Sequence, residues 1–199
     1  MGALLESLEA LNMKPWREHF LLLARYNLWA TERLLNKHVL ELTEAAYRRD
    51  CGLFFLSVHG TLNHLLVAEH LLWYERIASG ISPKRALDEQ VETTRRQVIA
   101  RLMEGARRWA PLIESWPESR YAGTLDYVST KGVSRTVPFA ATLTHVFNHS
   151  THHRGQITAA ITSMGHPCPE LDLLWMLDEE AKLKAADAAQ PPKPEGKPT

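Results

Sequence analysis

The sequence predicts an all-α protein, a four-helix bundle, on three observations. Apolar residues recur at three- and four-residue steps along four long stretches of the 199-residue chain, as amphipathic helices require. Glycine and proline mark the segments between these stretches. Between the third and fourth stretches, residues 121–138 have the pattern of a short β-hairpin-like excursion. Together these features favour helices packed on helices around one core.

Each helix has local signals for its position. Pro15 suits the first turn of the first helix, and Gly80 is a natural stop after the second. Pro111 is expected to kink or fray the third helix near its end. Asn27 is unusual within the first helix, so we expect it to be exposed or hydrogen-bonded inside the bundle. The predicted helices span approximately 16–40, 54–79, 86–116, 138–165 and, as a short last helix, 170–185.

Composition excludes several classes of protein. Lys plus Arg and Asp plus Glu number 23 each, so the basic surplus of a nucleic-acid-binding protein is missing. No apolar run reaches membrane-spanning length, and the N-terminus lacks the basic start of a signal peptide. Cys51 and Cys168 lie far apart and imply no disulfide framework, so a reducing cytoplasm is expected. We expect a bundle domain over 1–185 and a disordered, proline-rich tail over 186–199.

The fourth helix carries a pair of histidines on its buried face. Four of the ten histidines of the chain fall within 145–153. In the middle of the apolar stripe, His149 and His153 replace the expected apolar residues, four positions apart. Two imidazoles at this spacing are a common way for a helix to bind a metal ion. The apolar stripe itself consists of Phe139, Leu143, Val146, Ile157, Ala160 and Met164.

The second helix supplies the third metal ligand. His59 and His70 share a helical face but lie about 16 Å apart along the axis, so they cannot bind one ion together. His64 points elsewhere, beside Ala68 and Leu71 at the margin of the apolar stripe. Because it is central in its helix, where a bundle site is built, we select His64 as the third ligand.

Other interpretations of these histidines remain open. A buried histidine is often satisfied by a carbonyl or a hydroxyl without any metal. His145 and His152 lie towards the edge of the stripe, where they are solvated or support the ligands. A ligating ring also needs a partner for its second nitrogen, and Glu69, Asn148 and Gln156 are the candidates nearby in sequence.

Three stretches of the chain resemble the DinB family of bacterial damage-inducible proteins. These are the DinB/YfiT-like metal-binding bundles, which are distinct from the translesion polymerase that shares the name. The resemblance covers nearly the whole chain except the tail, and the motif Asn-His-x-x-His-His-Arg-Gly-Gln at 148–156 is specific in combination with the other two stretches. The three stretches are Leu-Ala-Arg-Tyr-Asn-Leu-Trp-Ala at 23–30, the segment 54–69, and His-Val-Phe-Asn-His-Ser-Thr-His-His-Arg-Gly-Gln-Ile at 145–157.

The resemblance implies a fold, a site and a set of activities. The fold is an up-down-down-up four-helix bundle, often a homodimer. Three histidines on two helices hold a divalent metal ion, and they correspond here to His64, His149 and His153. Relatives include thiol-dependent S-transferases and a mycothiol-dependent isomerase, so a small-molecule ligand or thiol is the expected partner.

Three functions therefore stay open at the level of the sequence. One is a metal-dependent S-transferase that uses a low-molecular-weight thiol, and another is a metal-dependent hydrolase. A non-enzymatic metal-binding stress-response protein is the third. Imidazole nitrogens suit zinc or nickel equally well. The two enzymes require an open cavity beside the metal, whereas the binding protein predicts bulky side chains that close over it.

Overall fold

The computed structural model describes residues 15–188, and helices dominate it. Two of the helices widen into π-helical stretches along part of their length. Among the described residues, no helix combines the length and the apolarity needed to cross a bilayer. The helices are α1 (Pro15–Arg33, continued by the π-helical Leu34–Val39), α2 (Glu44–Arg48), α3 (Val58–Leu65, the π-helical Leu66–Trp73 and Tyr74–Ala78), α4 (Arg95–Glu114), α5 (Phe139–Ser163) and α6 (Leu173–Ala188).

The four long helices form the predicted bundle. Each of α1 and α3 packs against both α4 and α5, which is the square arrangement of four helices around one core. Phe20, Trp109 and Phe139 are fully buried in this core, on α1, α4 and α5. The all-α four-helix bundle predicted from the helical periodicity is confirmed.

A short hairpin precedes the last long helix of the bundle, as predicted for 121–138. A 3₁₀ turn, Glu118–Ala122, leads into strand β1, Thr124–Val128. Strand β1 pairs antiparallel with β2, Ser134–Pro138. Because β2 runs directly into α5, the hairpin lies next to the start of the histidine helix.

The described chain divides into two compact units. The bundle, the hairpin and α2 belong to the first, which ends at Pro169, and α6 belongs to the second, which begins at Glu170. The last short helix predicted for 170–185 is present and continues to Ala188. The boundary between the bundle domain and the tail at 185/186 stays a prediction, and residues 189–199 lie outside the described part of the chain.

The predicted start of the third helix was wrong by nine residues. The helix begins at Arg95, where the Thr94 hydroxyl accepts a hydrogen bond from the Gln97 amide. The segment 86–94 is a loop, although its apolar residues continue the helical pattern. The Asn63 carboxamide fixes this loop, because it accepts from the Glu92 amide at 2.9 Å and donates to the Glu92 carbonyl at 3.1 Å.

A buried polar network joins α1, α3 and α5 across the core. Its members are Asn27, Glu69, Ser150 and Arg154, which we call the core network, and all four are buried. The Asn27 carboxamide donates to Glu69 and accepts from Arg154. The Ser150 hydroxyl donates to the other Glu69 oxygen at 2.5 Å. Of the two roles predicted for Asn27, hydrogen bonding inside the bundle is the correct one.

The two histidines on the other face of α3 have structural roles. His59 Nδ1 lies 3.0 Å from the Tyr47 hydroxyl on α2. His70 is 3 % exposed and packs against Gly105 of α4. A Cβ atom at position 105 would lie 2.3 Å from the His70 ring, so only glycine permits this close approach. His59 and His70 therefore stabilise the packing of α3.

Candidate metal centre

Three histidine side chains from two helices meet at one point in the bundle. His64 lies in the first segment of α3, and His149 and His153 lie one turn apart on α5. His149 Nε2 is 3.3 Å from His64 Nε2 and 3.2 Å from His153 Nε2. His64 and His153 are buried, and His149 is half-buried. The structure thus brings together the three residues selected from the sequence.

Hydrogen bonds to the second ring nitrogens orient two of the three imidazoles. His64 Nδ1 donates to the Leu87 carbonyl at 2.8 Å. His153 Nδ1 donates to Gln156 Oε1 at 2.8 Å. A proton on Nδ1 leaves Nε2 as an unprotonated acceptor in a neutral imidazole. Both Nε2 atoms therefore direct a lone pair towards His149, as metal-ligating histidines do.

The spacing of these nitrogens fits one small divalent ion. Zinc–imidazole bonds of about 2.0–2.1 Å place two ligand nitrogens about 3.3 Å apart in a tetrahedral site. The two nitrogen–nitrogen separations at His149 Nε2, 3.3 and 3.2 Å, agree with that geometry. In the absence of a cation, nitrogen lone pairs would face one another in a largely buried space, which is unfavourable. Three imidazoles suit zinc and nickel alike.

Burial keeps these imidazoles neutral. The pKa of His149 is lowered to about 3, first by burial and then by the neighbouring His153 and His64. The pKa of His153 is lowered to about 4, again first by burial and then by His64. Burial also lowers the pKa of His64, against the opposing effect of its hydrogen bond to Leu87. Near neutral pH the three rings are therefore ready to bind a metal ion.

The depressed pKa values predict that the metal-free protein loses stability as the pH falls below about 6.5, the ordinary pKa of histidine. The unfolded chain then binds protons on His149 and His153, whereas in the folded protein His149 is protonated only near pH 3 and His153 only near pH 4. At about pH 5 the two residues together lower the free energy of unfolding by about 4 kcal/mol. Urea denaturation of chelator-treated protein at neutral pH and at about pH 5 measures this loss.

The matched control for this pH effect is a variant with asparagine at both positions. His149→Asn combined with His153→Asn removes the two titrating groups while it keeps polar side chains there. The loss of stability between neutral pH and about pH 5 should then be smaller by about 4 kcal/mol. An equal loss in the variant and the unmodified chain would show that these two histidines are not protonated in the way described.

An aromatic side chain covers one side of the triad. The Phe55 ring stacks on His64 with centroids 3.8 Å apart and an interplanar angle of 15°. The loop before α3 approaches the helix so closely that a Cβ atom at Gly60 would lie 2.1 Å from the Phe55 carbonyl oxygen. Gly60 therefore allows Phe55 to reach the site, and Phe55 shields His64 from solvent on that side.

Another side of the triad opens into a cavity of about 250 Å³. The ring of His145, which also lines the cavity, lies 5.6 Å from the ring of His149. Catalytic zinc sites keep coordination positions open, and the cavity gives a small ligand access to such positions. A larger surface depression of about 570 Å³ has none of the three histidines in its lining. The cavity is lined by His64, Ala68, Leu72, Trp73, Arg76, Leu87, Tyr127, Ser129, Thr130, His145 and His149.

The residues predicted to support the ligands differ in whether they contact a ring of the triad. Gln156 contacts His153 directly, and its amide nitrogen lies 3.2 Å from Nε2 of the exposed His152. Asn148 is exposed. Glu69 is part of the core network, where it accepts hydrogen bonds from α1 and α5. Of these side chains, Gln156 is therefore the one that orients a ring of the triad.

Two supporting residues had escaped the sequence analysis. Leu87 contributes its backbone carbonyl, and no side-chain pattern reveals such a contribution. Asn63 holds the loop that carries Leu87, and its side chain is fully buried next to His64. An asparagine within an otherwise apolar helical stretch is a readable signal, of the same kind as Asn27 in α1.

Comparisons with known proteins agree with the fold. A sequence model of the DinB family matches residues 13–190. Protein DinB of Bacillus subtilis (strain 168) is 28 % identical over 157 residues, which are 75 % of this chain and 88 % of that protein.

Two solved structures share the fold at low sequence identity. A DinB-like protein from Bacillus cereus has a TM-score of 0.57 and 19 % identity, covering 77 % of this chain and 95 % of its own. YfiT from Bacillus subtilis, described as a probable metal-dependent hydrolase with an unusual four-helix bundle topology, has a TM-score of 0.55 and 14 % identity. That match covers 76 % of this chain and 89 % of YfiT.

Proposed function

The chain belongs to the DinB family, and on that premise we propose that it is a metal-dependent S-transferase for a small molecule. The observation that carries the proposal is a triad of neutral imidazoles beside a cavity with no carboxylate in its lining. A divalent ion in such a site supplies a Lewis acid that lowers the pKa of a thiol or of water bound to it.

The protein residues hold and orient the groups that react. His64, His149 and His153 would hold a zinc or nickel ion through Nε2. Leu87 and Gln156 keep the rings of His64 and His153 in the tautomer that leaves Nε2 free. A low-molecular-weight thiol and an electrophilic substrate occupy the cavity together.

The transfer reaction balances without any further reactant. A carbon–sulfur bond forms between the substrate and the thiol, and the bond from that carbon to its leaving group breaks. The leaving group takes the electron pair, and the thiol proton passes to solvent. A thiol bound to a divalent ion would need no protein carboxylate as its base. The cavity lining contains no carboxylate.

A metal-dependent hydrolase is the second candidate, and His145 favours it. Its ring lies in the cavity near His149, and burial lowers the pKa of His145, so it is neutral near pH 7. A neutral imidazole there is placed to accept a proton from an attacking water molecule. YfiT, a neighbour in fold, is described as a probable metal-dependent hydrolase. The third possibility, a non-enzymatic metal-binding protein, is disfavoured because the cavity beside the triad is open.

Metal analysis and a cobalt-substituted protein test the proposal. Purified protein should carry close to one divalent ion per chain. Addition of L-cysteine or glutathione to the cobalt-loaded protein should produce a near-ultraviolet charge-transfer band, because sulfur then binds the metal. The exposed His152→Ala variant is the control and should give the same band. Ester hydrolysis without any thiol, together with no such band, would favour the hydrolase. The absence of metal uptake would contradict both enzymes.

A further inference from the structure

Arg76 is a buried cation that has no anionic partner among residues 15–188. Its side chain extends from the last segment of α3, and the residue is only 4 % exposed. The guanidinium lies 4.7 Å from the ring centroids of both Trp73 and Tyr127. One terminal nitrogen donates to the Val128 carbonyl at 3.3 Å. The Nε atom is buried and has no hydrogen-bond partner within the described part of the chain.

Arg154, a second buried arginine, shows which interaction Arg76 lacks. Arg154 is equally buried, but it interacts with the carboxylate of Glu69 and donates to Asn27. Among the residues that the structure describes, no carboxylate forms an ion pair with Arg76. A buried charge without a counter-ion is costly, and two aromatic rings compensate for only a small part of the lost solvation. An anion from outside the chain would supply the missing interaction.

An anion bound to Arg76 would lie in the cavity beside the metal centre. Arg76 lines the same 250 Å³ space as His64 and His149. Trp73 and Tyr127 fix the guanidinium plane from α3 and from the hairpin, so its hydrogen-bonding groups are held in place. A planar, fixed guanidinium matches the geometry of a carboxylate. The cavity therefore contains a cationic group in addition to the metal site.

We propose that Arg76 is the carboxylate-binding group of this cavity, so that the ligand carries a carboxylate on Arg76 and its reacting atom at the triad. The inference deepens the proposed function and rests on it for the identity of the reaction. A single guanidinium balances the single negative charge of a carboxylate. The specificity of the site is then for small carboxylic acids, whether the acid is the thiol or the electrophile.

Two matched pairs of ligands test this subsite in the full-length, cobalt-loaded protein. The first pair is an ω-mercapto acid and the ω-mercapto alcohol of equal length, taken through a series of chain lengths. The second is succinic monohydroxamic acid and butyrohydroxamic acid, which bind metals through the hydroxamate and require no thiol chemistry. Visible absorbance gives each dissociation constant. We expect the best-fitting acid of each series to bind about tenfold or more tightly than its neutral partner.

Variants connect that preference with Arg76. Arg76→Met should abolish the preference for the acid while it leaves the affinity for the neutral ligands unchanged. Arg76→Lys keeps the charge but loses the planar fork, so an intermediate preference is expected. Arg108→Met is the control, because Arg108 stacks on Tyr74 at 3.9 Å and does not line the cavity. Thermal unfolding of each cobalt-loaded variant verifies that it is folded.

The outcomes separate the subsite from the proposed reaction. A carboxylate preference in the hydroxamate pair that disappears in Arg76→Met supports the subsite even if thiols do not bind. Thiol binding without a carboxylate preference would leave the transferase standing and overturn the subsite. Equal affinities within both pairs in the unmodified protein, or an unchanged preference in folded Arg76→Met and Arg76→Lys, would also overturn it.

Discussion

Replacing His64, His149 or His153 by alanine is expected to weaken metal binding by far more than the about 10–100-fold effect typical of supporting residues. Each substitution removes one of the three nitrogens that meet at His149 Nε2, two of them 3.2 and 3.3 Å from it. Among the described residues no other histidine, cysteine or carboxylate completes such a group. The metal-loaded protein should lose stability in step, because a bound ion contributes about 2.7 kcal/mol when present at 100 times its dissociation constant. Chelator-competition titrations, with thermal unfolding in the presence and absence of metal, measure both effects.

Four other histidine variants serve as comparisons for the loss of metal affinity in the triad variants. His145→Ala and His152→Ala should reduce affinity by about 100-fold or less, since neither side chain belongs to the triad. His59→Ala and His70→Ala should leave affinity almost unchanged, although each removes a buried ring and so costs stability. If His152→Ala proves as damaging as His149→Ala, the pair of ligands on α5 must be reassigned.

The triad could be predicted from sequence because its residues lie in regular α-helix. Val58–Leu65 and Phe139–Ser163 have α-helical geometry, in which side-chain direction follows from spacing alone. His149 and His153 therefore had to lie on one face, and His64 had to point away from His59. The remaining step, the convergence of the two helices, followed from the bundle architecture.

The prediction was less accurate where α3 becomes π-helical. The turn is wider over Leu66–Trp73, so residues beyond it are rotated from their α-helical positions. Sequence analysis placed Leu71 beside His64, whereas the cavity next to His64 is lined by Leu72 and Trp73. No feature of composition distinguishes this stretch from an ordinary apolar helix.

Neither the conformation of the loop that carries Leu87 nor the burial of Arg76 in the cavity could be predicted from the sequence. Leu87 matched the apolar stripe of a helix, yet it lies in a loop and orients His64 through a backbone atom. Arg76 had no distinguishing pattern, because an arginine on a helix is normally solvated at its charged end. The homodimer stays a prediction, because association depends on the shape and chemistry of a folded surface.

The core network predicts the second large effect, which concerns folding. Replacing Arg154 by alanine should lower the free energy of unfolding by about 3–5 kcal/mol, because it leaves the buried Glu69 carboxylate without its cationic partner. The Asn27 oxygen also loses the hydrogen bond that Arg154 donates. Urea denaturation of the metal-free protein at neutral pH isolates this effect from metal binding. The surface control is Arg107→Ala, which breaks the exposed pair with Glu32 and should cost less than about 1 kcal/mol.

A second variant separates the buried charge from lost packing. Arg154→Met combined with Glu69→Gln keeps the approximate volume of both side chains and removes both charges, so most of the lost stability should return. A loss of stability close to that of Arg107→Ala for the single Arg154→Ala change would show that water or neighbouring groups already solvate Glu69.

Because Ser150 and Arg154 flank His153 on α5, the single variant Arg154→Ala should also disturb the position of the triad relative to α3. Its metal affinity should therefore fall, and the double variant should recover part of it.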